Sequence, residues 1–145
     1  MLRGRIGNTS GEPLLEGLLQ IPSQNISNHI SFLVDTGADM SILMPDDGVL
    51  MGIDYSALSD TQVVGGIGGE TTIYTEPARI IFAESGKCLH AYAITLGISP
   101  VKKELEETHS LIGRDILQNW KMRYHPTTGY VAFDVIRSDL EISLS

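Results

Sequence analysis

Ile30, Phe32 and Val34 alternate with Ser31 and Leu33, a period of two that predicts a strand with one buried face, and the run ends at Asp35-Thr36-Gly37. Upstream, Leu14, Leu15, Leu18, Leu19 and Ile21 predict a second strand, antiparallel to Ile30–Val34, with residues 22–28 as the hairpin loop. The leucines also fit a helical period, but Gly17 within the run and Pro22 at its end disfavour a helix. Residues 1–12 scatter Gly4, Gly7 and Gly11 among polar positions and read as a mobile arm with little core of its own. Ser41 to Met44 predicts a short strand, and Pro45 to Gly48 a turn or the first turn of a brief helix.

From Thr61 to Tyr74, β-branched residues flank Gly65, Gly66, Gly68 and Gly69 around Ile67, which predicts a hairpin whose tip has almost no side chains. Ala78–Ala83 and Cys88–Leu96 predict two further strands joined around Glu84–Lys87, and the charged stretch 101–108 a solvated loop or helical turn. Ser110, Leu111 and Ile112 lead through Gly113 into an amphipathic helix carrying Ile116, Leu117 and Trp120. Lys121–Tyr124 and Tyr130–Val135 pair around residues 125–129 as a closing hairpin. The sum is an all-β chain with one short helix near its C-terminus and a C-terminal hairpin extension over residues 121–145.

Composition narrows the classes. At 145 residues, 42% hydrophobic and 19% charged, residues 1–145 are expected to form a single folded domain. No apolar run approaches the length of a membrane span and no signal peptide is evident, so the default expectation is a cytoplasmic protein with no membrane segment. The formal charge of -8 repels phosphate backbones and argues against nucleic-acid binding. Cys88 is the only cysteine and is assigned to packing; His29, His90, His109 and His125 lack metal-binding spacing, so neither a metal nor any other cofactor is expected.

Two stretches carry candidate chemistry. A carboxylate is costly to desolvate, so Asp35 directly after an apolar strand calls for donors around it; an ordinary strand-to-turn transition accounts for the same residues equally well. The glycine hairpin resembles a phosphate loop only superficially, because position 71 is Thr and no lysine precedes a Ser or Thr there. It is either a merely flexible hairpin or one that closes over a ligand, lending strand-type hydrogen bonds.

Three pieces in this order, Asp35-Thr36-Gly37-Ala38-Asp39, Gly65-Gly66-Ile67-Gly68-Gly69 and Gly113-Arg114-Asp115 followed by Ile116-Leu117, resemble the retroviral-type aspartic proteases, the retropepsins and their cellular and bacterial relatives. The resemblance spans roughly residues 13 to 120. It implies a retropepsin-like acid-protease barrel with an active site on a two-fold axis. It makes Asp35 the catalytic acid, Thr36 a tie between two active-site loops, and Gly37 the point of close approach. Ala38, Asp39, Gly66, Ile67 and Gly68 become substrate-binding positions with Ile67 at a flap tip, and Arg114 and Asp115 become structural support, Arg114 within reach of Asp39. Two departures stand out: Glu12 precedes Pro13-Leu14 where viral relatives carry arginine, and the chain continues about 25 residues past the helix.

Amide hydrolysis at moderate pH needs a base for water and an acid for the carbonyl oxygen, and two carboxylates sharing a proton supply both; aspartic proteases are the standard illustration of such a pair. With one Asp-Thr-Gly in the chain, the second carboxylate is expected from Asp35 of another copy, which implies a homodimer cleaving polypeptide substrates. Asp115 and Asp134 are the in-chain alternatives. A peptide-binding or dimerisation module without turnover is the rival function, and an Asp35–Asp39 phosphohydrolase or metal enzyme a third, with the second acid four residues on rather than two.

Overall fold

The alternating stretch ending at Asp35 is the staple of a closed sheet. The computed structural model describes residues 1–8, 10–66 and 69–144. In chain order it contains β1 (Leu2–Arg3), β2 (Arg5–Ile6), β3 (Pro13–Ile21), β4 (Ile26–Val34), β5 (Ile42–Leu43), α1 (Pro45–Met51), β6 (Thr61–Gly66) and β7 (Gly69–Glu84). Then come β8 (Cys88–Ile98), β9 (Ser110–Ile112), α2 (Arg114–Leu117), β10 (Trp120–His125), β11 (Tyr130–Val135) and β12 (Leu140–Ser143).

Each neighbour in the series β3, β4, β9, β5, β8, β7 is hydrogen-bonded to the next, and β7 returns to β3, which closes a barrel. Because β4 and β9 run parallel, with Val34 opposite Ile112, both strands end side by side and deliver Asp35 and Gly113 to one place. The inward face is mostly apolar: Leu19, Phe32, Leu43, Ile80, Leu96 and Ile112 are fully buried. Each such side chain stabilises the fold by about 1.5–3 kcal/mol relative to exposure. A second sheet, β1-β11-β10, packs over the barrel through Trp120, which meets Phe82 at 4.8 Å and Phe133 at 5.1 Å between ring centroids.

The all-β expectation holds, with local differences that have physical reasons. The first hairpin loop is residues 22–25, shorter than expected, because Asn25 takes a left-handed conformation (φ 53°) and its N–H closes on the Pro22 carbonyl at 3.1 Å. Of the two alternatives at Pro45 the brief helix is the one formed, the proline ring occupying the first turn where no N–H is needed. β7 runs unbroken through Pro77, which lies beyond the β3 pairing and so has no ladder bond to lose on that side. The C-terminal helix is only four residues long, and Trp120 belongs to β10, pulled from a helical continuation by its pairing with Val135 and its indole bond to Tyr92. Leu2–Arg3 and Arg5–Ile6, expected as part of an arm, are in strands: Leu2 pairs with Phe133 and is 1% exposed, since the edge of β11 offers both a ladder and an apolar pocket. Strand β12, on the outer edge of β8, was not expected at all. Among the described residues, no helix is long and apolar enough to cross a membrane.

Candidate active site

Asp35 is fixed by backbone before any side chain is considered. Its N–H donates to the Ile112 carbonyl at 2.9 Å, continuing the β4–β9 ladder one step, and its own carbonyl accepts from the Ala38 N–H at 3.2 Å, closing the turn. Within that turn the Gly37 N–H donates to Asp35 Oδ1 at 2.9 Å. A β-carbon at Gly37 would stand 3.3 Å from that oxygen, so a side chain there would crowd the carboxylate.

The helix end across from the turn locks it in place. Arg114 donates its backbone N–H to the Ala38 carbonyl at 2.8 Å and its guanidinium to the Thr36 carbonyl at 2.9 Å, while pairing with the Asp39 carboxylate. Gly113 is required here by close approach: a β-carbon would lie 2.6 Å from the Met40 carbonyl group and 2.8 Å from the Ala38 oxygen, both backbone. Asp115 points back under the turn, accepting from the Ser41 N–H at 2.9 Å, the Ser41 hydroxyl at 2.8 Å and the Ile116 N–H at 2.9 Å. Ser41 Oγ in turn accepts from the Gly113 N–H at 3.1 Å. Ser41 is fully buried and joins the turn to the helix, yet nothing in its sequence context distinguishes it from any strand serine.

Asp35 borders a cleft of about 780 Å³ together with Ala38, Asp39, Asp115 and residues Gln62–Gly65 of β6. The structure therefore brings the first and third motifs into contact and sets the first arm of the glycine hairpin, up to Gly65, along the same cleft. Gly66 ends β6 opposite Gly69; Ile67 and Gly68 lie outside the described residues. Asp35 is partly exposed, and Thr36, Gly37 and Asp39 are exposed. Neither acid beside Asp35 in the cleft stands free, since Asp39 is ion-paired with Arg114 and both oxygens of Asp115 are occupied by donors. Asp134, the other in-chain alternative, pairs with Arg123 at 2.6 Å across the β10–β11 ladder.

Residues 9–125 match the model of the retroviral aspartyl protease family, and the chain belongs to that family. Among solved structures, a retropepsin-like aspartic protease from Rickettsia conorii is similar with a TM-score of 0.63 at 18% identity, over 97% of this chain and 92% of that one. EIAV protease in complex with the inhibitor HBY-793 is similar with a TM-score of 0.50 at 21% identity, over 77% of this chain and 90% of that one. At these identities the likeness is one of fold. No curated protein matches the sequence. The resemblance drawn from the three motifs is borne out, and with it the retropepsin-like barrel.

Proposed function

We propose that the chain is one retropepsin-like domain that works as an aspartic endopeptidase in a homodimer, the two Asp35 carboxylates meeting across the two-fold axis. The observation that carries this reading is that, among the described residues, the other two acids lining the cleft are committed, Asp39 to Arg114 and Asp115 to Ser41 and the helix N-terminus, which leaves Asp35 with the Gly37 donor at the edge of an open cleft. A general acid–base pair needs a second carboxylate, and a second copy supplies it at the same exposed turn. In that pair one Asp35 is ionised and takes a proton from the attacking water, while the other is protonated and gives its proton to the scissile carbonyl oxygen. Collapse of the resulting tetrahedral diol then requires a proton on the leaving amine, returned by the carboxyl that accepted it.

Thr36 is assigned to the contact between the two turns. The exposed backbone of Gln62–Gly65 in β6 faces the cleft and suits an extended peptide held by strand-type hydrogen bonds. Asp39 and Ala38 line the same wall. Ala38 carries no hydroxyl to hydrogen-bond the carboxylate pair, so the optimum is expected to be less acidic than in pepsin-like enzymes; a pH–rate profile peaking near about pH 2 would refute that.

Mixing wild type with Asp35→Asn tests the shared site. If each active site needs both Asp35 residues and subunits exchange, an equimolar mixture cleaves a peptide library at roughly one quarter of the rate of the same total wild-type protein. A rate of one half means each chain acts alone. Inhibition by a hydroxyl-bearing transition-state isostere without inhibition by chelators separates this chemistry from a metal-dependent hydrolase, and tight peptide binding without cleavage would identify a binding module instead.

A further inference from the structure

At the end of the β7–β8 hairpin three different electron-pair donors converge, none of them bordering the Asp35 cleft. Glu84 lies opposite Cys88 in the ladder and His90 follows two residues on, so all three side chains share one face. Cys88 Sγ is 3.3 Å from Glu84 Oε1 and 3.2 Å from His90 Nε2, and His90 Nε2 is 3.2 Å from the same Glu84 oxygen. Cys88 and His90 are buried, at 6% and 3% exposure.

The other ring nitrogen of His90 decides what faces the cluster. Nδ1 is 2.7 Å from Ser138 Oγ; in the Nδ1-protonated tautomer Ser138 accepts that proton and the Nε2 lone pair faces Cys88 and Glu84. In that tautomer a carboxylate oxygen, an imidazole lone pair and a thiol share a single thiol hydrogen, which can satisfy only one of three contacts. A divalent cation satisfies all three. Tetrahedral zinc with sulfur, nitrogen and oxygen ligands at their usual lengths holds those atoms about 3.3–3.6 Å apart, so this triangle needs to open by only a few tenths of an ångström. A thiolate and an imidazole beside a single carboxylate suit zinc and not calcium or magnesium, which take oxygen ligands. A hollow of about 310 Å³, bordered by Glu84, His90, Ser138 and Glu141, provides an entry path. Glu141 sits directly across from His90 in the β8–β12 ladder. The second oxygen of Glu84 is taken by the Met1 amino group, leaving Oε1 for the cluster.

We propose that Glu84 Oε1, Cys88 Sγ and His90 Nε2 are three ligands of a structural Zn²⁺ site whose fourth position faces this hollow and is completed by Glu141 or water. Binding replaces the thiol proton, released to solvent, with a metal–sulfur bond, and ties the β7–β8 hairpin to the C-terminal strand β12. Ser138 acts as a positioning residue through His90 Nδ1.

The test uses the full chain, stripped with a chelator and titrated with Co²⁺ as a spectroscopic probe. The expected result is uptake of one equivalent, with a thiolate-to-cobalt charge-transfer band and a tetrahedral ligand-field spectrum, both erased by one equivalent of Zn²⁺. Asp35→Asn should keep the band. Cys88→Ser should lose the charge-transfer band, and Ser138→Ala should weaken uptake by about tenfold or more. Glu84→Gln, isosteric at a partly exposed strand end, is the variant least able to unfold the chain and should also weaken uptake by at least about tenfold. Absence of the band in wild type, its survival in Cys88→Ser, or unchanged affinity in Glu84→Gln overturns the assignment.

Discussion

The Asp35 turn and the Trp120 cluster sit at the two ends of the four-residue helix α2, and they settle their polar groups in opposite ways. Around Trp120 every polar atom is answered from inside the chain: the indole N–H donates to Tyr92 Oη at 2.8 Å, and that hydroxyl donates to the Arg137 carbonyl at 2.8 Å. Around Asp35 the chain answers only the framework. Arg114, Asp115 and Ser41 pin the backbone, while Asp35, Thr36 and Asp39 remain accessible at a cleft. One end of the helix is finished by packing; the other is held rigid and left open. A rigid, open arrangement of polar groups is what a site needs when its partners come from outside the chain.

The comparison predicts that activity and stability can be removed separately. Asp35→Asn is expected to cut peptide cleavage by at least about 10³-fold while leaving the urea unfolding midpoint where it is, because the amide keeps the Gly37 N–H contact. A large loss of stability in this variant would mean that the turn is part of the core. Trp120→Ala is the converse: it removes a ring packed against Phe82, Tyr92 and Phe133 and deprives the Tyr92 hydroxyl oxygen of its indole donor, for an expected loss of about 3–5 kcal/mol in urea denaturation. Gly113→Ala tests the joint between the two regions. Its methyl would meet backbone at 2.6 Å on one side, so α2 or the turn must move, at an expected cost of about 1–3 kcal/mol with a fall in kcat read in the same preparation. A change in neither would show that the joint yields without displacing Asp35.

What could be read from sequence was local. Ile30, Phe32 and Val34 announce their strand because alternation is a property of neighbours, and their burial follows the pattern residue by residue. The hairpins around residues 22–25 and 126–129 are legible for the same reason, since proline, asparagine and glycine act within a few residues. The Asp35 turn stood out because a carboxylate there contradicts the apolar run before it. Ser41 did not stand out: its role comes from Asp115, 74 residues away, and exists only once the parallel β4–β9 pair has brought the two together. The burial of Leu2 under β11 and the addition of Leu140–Ser143 to β8 are equally long-range, as is the meeting of Glu84, Cys88 and His90 with Ser138. Cys88 packs as expected, but its sulfur also faces two polar neighbours that spacing alone did not reveal.

Glu12 offers the mildest version of the Asp35 problem, a solvent-facing carboxylate held by donors, and so the smallest test. Its carboxyl is kept below its ordinary value of 4.5 by its own backbone N–H first, then by the N–H and hydroxyl of Ser10, which donate to Oε2 at 3.0 and 2.9 Å. A carboxylate with a depressed folded-state pKa binds protons more readily when unfolded. Its contribution is therefore fully present above the unfolded value and is lost as pH falls through the folded one. Glu12→Gln should be slightly less stable than wild type near neutral pH, with the two urea midpoints converging as the pH is lowered below about 4.5. A constant offset across that range would show that the loop is held by the Gly7 N–H to Glu12 carbonyl bond at 2.8 Å and by packing, in the manner of the Trp120 cluster, and not by the carboxylate.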